Sequence, residues 1–236
     1  MKRIPACILL GIGIAAVFSL GFACISVFER VSEGPARTAD EHVQVNLALI
    51  GYHDAHGRLP PAVIRGANGK PLYSWRVVVL PYIDNTPLYK ELHLDEPWDS
   101  PHNMKLLAKR PGCYAPHGRK GKLIPPDHTV MHVFVGKGAA FEGDEGLNLK
   151  KDFPDGLADT FLVVDTSKPV PWTKPEDLPY DPDQPLPELQ GVFHDGFWAM
   201  TANNRRRWVS NNTSEATLRA LITRNGGDQP GDDWQK

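Results

Sequence analysis

Positions 4 to 28, IPACILLGIGIAAVFSLGFACISVF, form an uncharged run behind Met1-Lys2-Arg3. As a helix rising about 1.5 Å per residue this run would reach roughly 37 Å, enough to cross a bilayer whose hydrocarbon core is about 30 Å thick. Lys2 and Arg3 ahead of it predict a cytoplasmic N-terminus and a C-terminal part outside the membrane. A cleaved signal peptide is the competing reading, because Gly21-Phe22-Ala23 loosely fits a small-x-small cleavage site. The run is longer than the roughly 7–15 apolar residues of a signal h-region, which favours an anchor. A lipoprotein signal with Cys24 lipidated is a third reading, against which Gly21 stands where leucine is usual. The expected organisation is a transmembrane anchor, or uncleaved signal, over 1–30, followed by an extracytoplasmic domain over 31–236. Within the anchor, Gly11, Ala15, Ser19 and Ala23 form a small-residue ridge of the kind that lets membrane helices approach closely. The expected partners are therefore the lipid bilayer, through residues 4–28, and a second copy of the chain, through that ridge.

Beyond Gly34-Pro35 the apolar positions return with helical period, Val43, Leu47, Ile50 and Asp54 on one stripe with Gln44 and Asn46 off it. The helix is predicted to stop in HDAHGRLPP. Gly57 suits a left-handed C′ position, His56 meets the negative end of the helix dipole, and Pro60-Pro61 forbids continuation. Three short helices follow. Ser74 caps one through Trp75 to Ile83, Thr86-Pro87 opens LYKEL, and Ser100-Pro101 opens HNMKLLAK, with Trp75, Tyr82, Tyr89, Leu92 and Trp98 packing them.

After Gly112 the pattern changes to strands: 129–135, 161–164, 196–202 and 205–209, the last two joined at Asn203-Asn204 by a two-residue type I′ turn. They predict an antiparallel sheet. Between the second and third lies VPWTKPEDLPYDPDQPLPEL, with seven prolines from Pro169 to Pro187, expected to be a polyproline-like surface loop with solvated acids. A final helix, EATLRALITR, has Asn212 and Glu215 as its capping pair and Leu218, Leu221 and Ile222 as its docking residues.

Composition changes this picture little. A net charge of -2 gives no pull toward nucleic acid, and 22 prolines with 21 glycines fit a fold of many loops. Cys7 and Cys24 lie in the apolar run, so only Cys113 remains in the domain and no internal disulfide is possible there.

Candidate chemistry is sparse. His53 and His56 stand three apart on a helix and could share one metal ion, but a site would need a further ligand, and no HExxH is present. His128 and His132 fall on a strand, where residues four apart lie about 13 Å from one another. The chain also lacks a GxSxG elbow, a P-loop and paired CxxC motifs. The expectation is no catalytic residue and no cofactor, with His53 and His56 the only metal candidates.

The stretches NLALIGYHDAHGRLPPA, SWRVVVLPYID, LYKELHLDEPWDSPHNMKLLAK and GVFHDGF, followed by TLRALITRNGG, resemble the pilin-like domain of unknown function abundant in planctomycete bacteria. The likeness spans roughly residues 37 to 228. It implies an α+β fold in which a long N-terminal helix packs on an antiparallel sheet, as in type IV pilins, with short helices and proline-rich loops. It implies no reaction and no cofactor. Two features depart from the family's pattern. Ser26 stands fifth from Phe22, where a prepilin leader would place glutamate, and Asn203-Asn204, nine residues after His194, replaces the Asp-Gly of the His-x9-Asp-Gly tail.

The function expected from these observations is a membrane-anchored, extracytoplasmic structural or protein-interaction domain, not an enzyme. The alternatives are a metal-dependent enzyme built on the His53/His56 region with acids such as Asp54 or Asp99, and a secreted module presenting the proline-rich loop.

Overall fold

The computed structural model of the chain describes residues 41–83, 85–116, 124–191 and 195–234. The apolar run 4–28 with its ridge of Gly11, Ala15, Ser19 and Ala23, and His194 of the tail signature, lie outside the described residues. Two compact units divide the chain, Met1–Thr38 and Ala39–Lys236, and the described residues all fall in the second. Among them no helix is long and apolar enough to cross a membrane.

The fold is α+β. Helical residues 41–56 (α1) precede a hairpin of β1 (Val63–Arg65) and β2 (Pro71–Ser74), then α2 (Trp75–Val78), α3 (Thr86–Glu91) and α4 (Asn103–Leu106). Next come β3 (His128–His132), β4 (Phe134–Gly136), β5 (Phe161–Pro171), β6 (Leu178–Tyr180), β7 (Gly196–Thr201) and β8 (Arg206–Ser210), with α5 (Glu215–Ile222) near the end. The central sheet has the order β3-β5-β7-β8 and every pairing in it is antiparallel. On one face Val45, Ala48 and Leu49 of α1 share an apolar cluster with Met131, Val163 and Met200. On the other, Leu221 and Ile222 of α5 join Phe161, Val164, Phe197 and Val209.

Local signals place the short elements well. The Ser74 hydroxyl accepts from the Arg76 N–H to start α2, and a 3-10 turn (Leu80–Ile83) carries the chain to Pro81 and beyond. Proline near the start of α3, and the Ser100 hydroxyl accepting from the Asn103 N–H before α4, agree with the predicted openings. Tyr82, expected among the packing residues, is instead 36% exposed.

The buried stripe of α1 is rotated from the predicted one. His42, Val45, Asn46, Leu49 and His53 face inward, whereas Leu47 is 50% exposed and Asp54 is at the surface. The helix carries two apolar stripes, and the inward one includes polar side chains that find partners. His42 Nε2 lies 2.8 Å from Asp165 Oδ1 on β5, and Asn46 Nδ2 donates to Asn204 Oδ1 at 3.0 Å and to the Thr201 carbonyl at 3.3 Å.

Four further expectations are corrected. The run 129–135 is two strands, because the Val133 N–H between them leaves the ladder and donates to Asp177 Oδ1 at 3.0 Å. The proline-rich segment is not a solvated loop over its first half: Trp172, Thr173, Leu178 and Tyr180 are buried, and β6 pairs in parallel with β4. The cap of α5 is Ser214, whose hydroxyl accepts from the Thr217 N–H, instead of Asn212. At the β7–β8 turn only Asn204 has positive φ, 62°, and the Asn204 N–H donates to the Thr201 carbonyl while the Thr201 N–H donates to the Arg205 carbonyl. That is a three-residue loop with a left-handed last position, not a type I′ turn. Asparagine tolerates that conformation better than most side chains do.

Candidate functional site

The end of α1 closes as its sequence predicts. Gly57 adopts φ 75° and its N–H donates to the His53 carbonyl at 2.7 Å, the single bond of an αL cap. Loop 146–152 then covers the terminus. Asn148 Nδ2 donates to the Gly57 carbonyl at 2.7 Å, supplying a partner for a carbonyl that no further turn of helix reaches. Asn148 is itself fixed, its Oδ1 accepting from the N–H groups of Lys150 and Lys151 and its own N–H donating to Asp152 Oδ2. The Leu59 N–H donates to the Leu147 carbonyl at 2.8 Å. Gly146 must be glycine here, since a Cβ on it would stand 1.5 Å from the Leu59 carbonyl oxygen.

His53 belongs to this clamp. It is 6% exposed, and its Nε2 accepts from the Leu149 N–H at 3.2 Å. An accepting Nε2 puts the ring proton on Nδ1, which donates to Asp54 Oδ1 at 3.3 Å. Both nitrogens are thus committed. His56 points to a different neighbourhood, its ring 4.2 Å from that of Tyr52 and its Nε2 3.1 Å from the Tyr82 hydroxyl. The structure therefore does not bring the two metal candidates together on one ligand. Asp54 is exposed and Asp99 lies exposed before α4, and among the described residues no three His, Cys, Asp or Glu side chains gather as a metal set. Beside the clamp lies an open polar pocket bordered by Arg58, Glu142, Glu145 and Lys151, whose charges are partly matched by the pairs Arg58–Glu145 and Arg224–Glu142.

A second polar cluster, which the sequence reading missed, is fully enclosed. The Arg76 side chain is 0% and Asp177 3% exposed, and Arg76 Nη2 donates to Asp177 Oδ1 at 2.6 Å. Arg76 also donates through Nη1 to the Ser74 hydroxyl at 2.7 Å and through Nε to the Met131 carbonyl at 3.0 Å. Asp177 accepts in addition from the Val133 N–H and, at 3.4 Å, from Trp75 Nε1. Burial pushes the Asp177 carboxyl upward, and the Arg76 charge with these donors opposes that rise. The residues involved come from β2–α2, β3–β4 and the 171–180 segment, so the pair ties that segment to the core. Tyr114 closes the cluster by donating its hydroxyl to the Arg76 carbonyl at 2.9 Å.

His132 lies alongside, with Nδ1 3.7 Å from Asp177 Oδ1. Its Nε2 donates to the Lys168 carbonyl at 2.9 Å, so Nδ1 carries the lone pair and has no partner. Burial, helped by the nearby Arg76 charge, depresses its pKa to about 3 and keeps the ring neutral. His128, four residues earlier, sits apart and pairs with Asp127 at 2.7 Å. Arginine, aspartate and histidine in one cluster are the ingredients of acid–base chemistry, yet side-chain exposures of 0–3% leave no path for a substrate to reach them. One signal in the sequence pointed here: Arg76 is the lone charge in SWRVVVL, and a charge in so apolar a run needs a partner.

Residues 42–134 match the family described as a protein of unknown function (DUF1559). The matched span runs from α1 to β4 and so includes His53, Arg76 and His132, while Asp165 and Asp177 fall beyond it. Neither a curated protein nor a solved structure matches the chain.

Proposed function

We propose that the protein is a membrane-anchored, single-pass, extracytoplasmic pilin-like domain with a structural or protein-interaction role and no catalysis of its own. The observation that carries this reading is the arrangement of α1 against the antiparallel sheet β3-β5-β7-β8, the helix-on-sheet architecture common to type IV pilins. The anchor is residues 4–28, and its small-residue ridge would bring copies of the chain together in the bilayer. An interaction role is supported by the outward stripe of α1, where Val43, Leu47 and Ile50 stand near Tyr82, with Leu47 50% and Tyr82 36% exposed. A metal-dependent enzyme at His53 and His56 has less support, since the Leu149 N–H already occupies His53 Nε2.

Fractionation tests the reading. The full chain is expected in the membrane pellet after salt and alkaline carbonate washes, with its domain open to protease added from outside the cytoplasmic membrane. A mature chain that begins at Cys24 or Ser26 and stays in the soluble fraction would overturn it.

A further inference from the structure

Along the outer side of β8, a pocket of about 320 Å³ is lined by Trp208, Ser210, Asn212, Asp233 and Trp234. The strand supplies the first two residues, the turn after it supplies Asn212, and a 3-10 turn (Asp232–Trp234) closes the far side. Trp234 is 2% exposed and held edge-to-face against Phe161 at 6.2 Å. Its Nε1 is buried and has no hydrogen-bond partner among the described residues. A buried N–H without an acceptor is costly, so this one calls for an oxygen from outside the fold.

Asp233 faces the same space already oriented. Its Oδ1 accepts from the Thr217 hydroxyl at 2.7 Å and its Oδ2 from the Ser214 N–H at 2.8 Å. Those bonds, Thr217 first, hold its pKa down to about 2, so it stays an anion with lone pairs to spare. A ligand must therefore accept from an indole N–H and donate to a fixed carboxylate. An ammonium group cannot accept, and a phosphate or carboxylate would meet Asp233 with like charge. A hydroxyl does both, and Ser210 and Asn212 suit further hydroxyls beside it. The two tryptophans supply the apolar wall that the C–H face of a sugar ring packs on.

We propose that this pocket binds a neutral saccharide unit, one hydroxyl of which donates to Asp233 and accepts from Trp234 Nε1. The site lies beside α5 and the β8 edge and involves neither the clamp at Gly57 nor the Arg76–Asp177 pair. The test is titration of the full chain in detergent with a panel of neutral gluco-, galacto-, manno- and N-acetylhexosamine disaccharides, read by calorimetry and tryptophan fluorescence. At least one sugar series is expected to bind saturably, at least tenfold more weakly in Trp234→Phe, which keeps an aromatic ring and removes the N–H, and in Asp233→Asn. Melting curves near that of the parent would certify both variants as folded, and if Asp233→Asn unfolds, Trp234→Phe alone decides. No binding by the parent chain at millimolar sugar, equal binding by folded Trp234→Phe, or saturable binding only of extended peptides would each overturn the proposal.

Discussion

Arg76 and Asp177 meet in the interior with almost no exposed surface, whereas the end of α1 meets loop 146–152 at the rim of the domain. Both are polar seams joining segments distant in sequence, and they hold the fold by different means. At the rim the bonds are neutral and mostly involve backbone, and water can replace a lost partner at modest cost, with a typical net value of about 1 kcal/mol per bond. In the interior two opposite charges have given up hydration, and each survives only because the other, with Ser74, Met131, Val133 and Trp75, surrounds it. The enclosed seam should therefore be strongly cooperative and intolerant of single changes, and the rim seam divisible into small independent parts.

The largest effect expected is at Asp177. Asp177→Ala leaves Arg76 charged and buried without its partner, and should cost about 3–5 kcal/mol in denaturant unfolding. A loss below about 1 kcal/mol, the range of exposed ion pairs, would place that pair with the rim contacts.

Acid should separate the two seams next. His132 has a folded pKa of about 3 against an unfolded value near 6.5. Between those values the unfolded chain binds one more proton than the folded chain, so stability falls as pH drops through that window, by roughly 1 kcal/mol per pH unit. Glu176, held down to about 2 by Lys168 and then Lys174, adds its own loss only below its unfolded value near 4.5. Unfolding free energies from pH 6.5 to 4.5 should accordingly be flatter in His132→Gln than in the parent, and parallel slopes would mean that His132 does not titrate as a buried neutral ring.

At the rim the effects are smaller. His53→Ala removes the acceptor of the Leu149 N–H and should cost about 1–3 kcal/mol. Gly57→Ala meets no neighbouring atom within 4 Å, so only the strain of φ 75° acts, about 1 kcal/mol. The two melts together check the assignment: a silent glycine change would remove the αL cap from the account.

What could be read from the sequence divides along the same line. The caps at Ser74, Ser100 and Gly57 and the proline start of α3 are decided by neighbours a few positions away, and each was legible. So was the antiparallel sheet, since its alternation is local to each strand. The buried pairs were not. Asp177 lies 101 positions from Arg76, and Asp165 lies 123 from His42, and nothing in PEDLPY or in FLVVDTS marks its acid as enclosed. The orientation of α1 failed for a related reason. Its apolar residues fill two stripes, and the choice between them was made by partners for His42 and Asn46 on β5 and at the β7–β8 turn. Sequence periodicity holds no information about those partners.

The claim that the buried polar groups of this domain act by closing the fold is tested most directly by a double-mutant cycle on Arg76→Met, Asp177→Leu and the double variant, measured by equilibrium unfolding of the domain. The account predicts that each single change costs about 3–5 kcal/mol and that the double change costs less than either, since no unpaired charge remains inside. Single losses that simply add in the double variant would contradict it, for the two side chains would then be acting on separate parts of the structure.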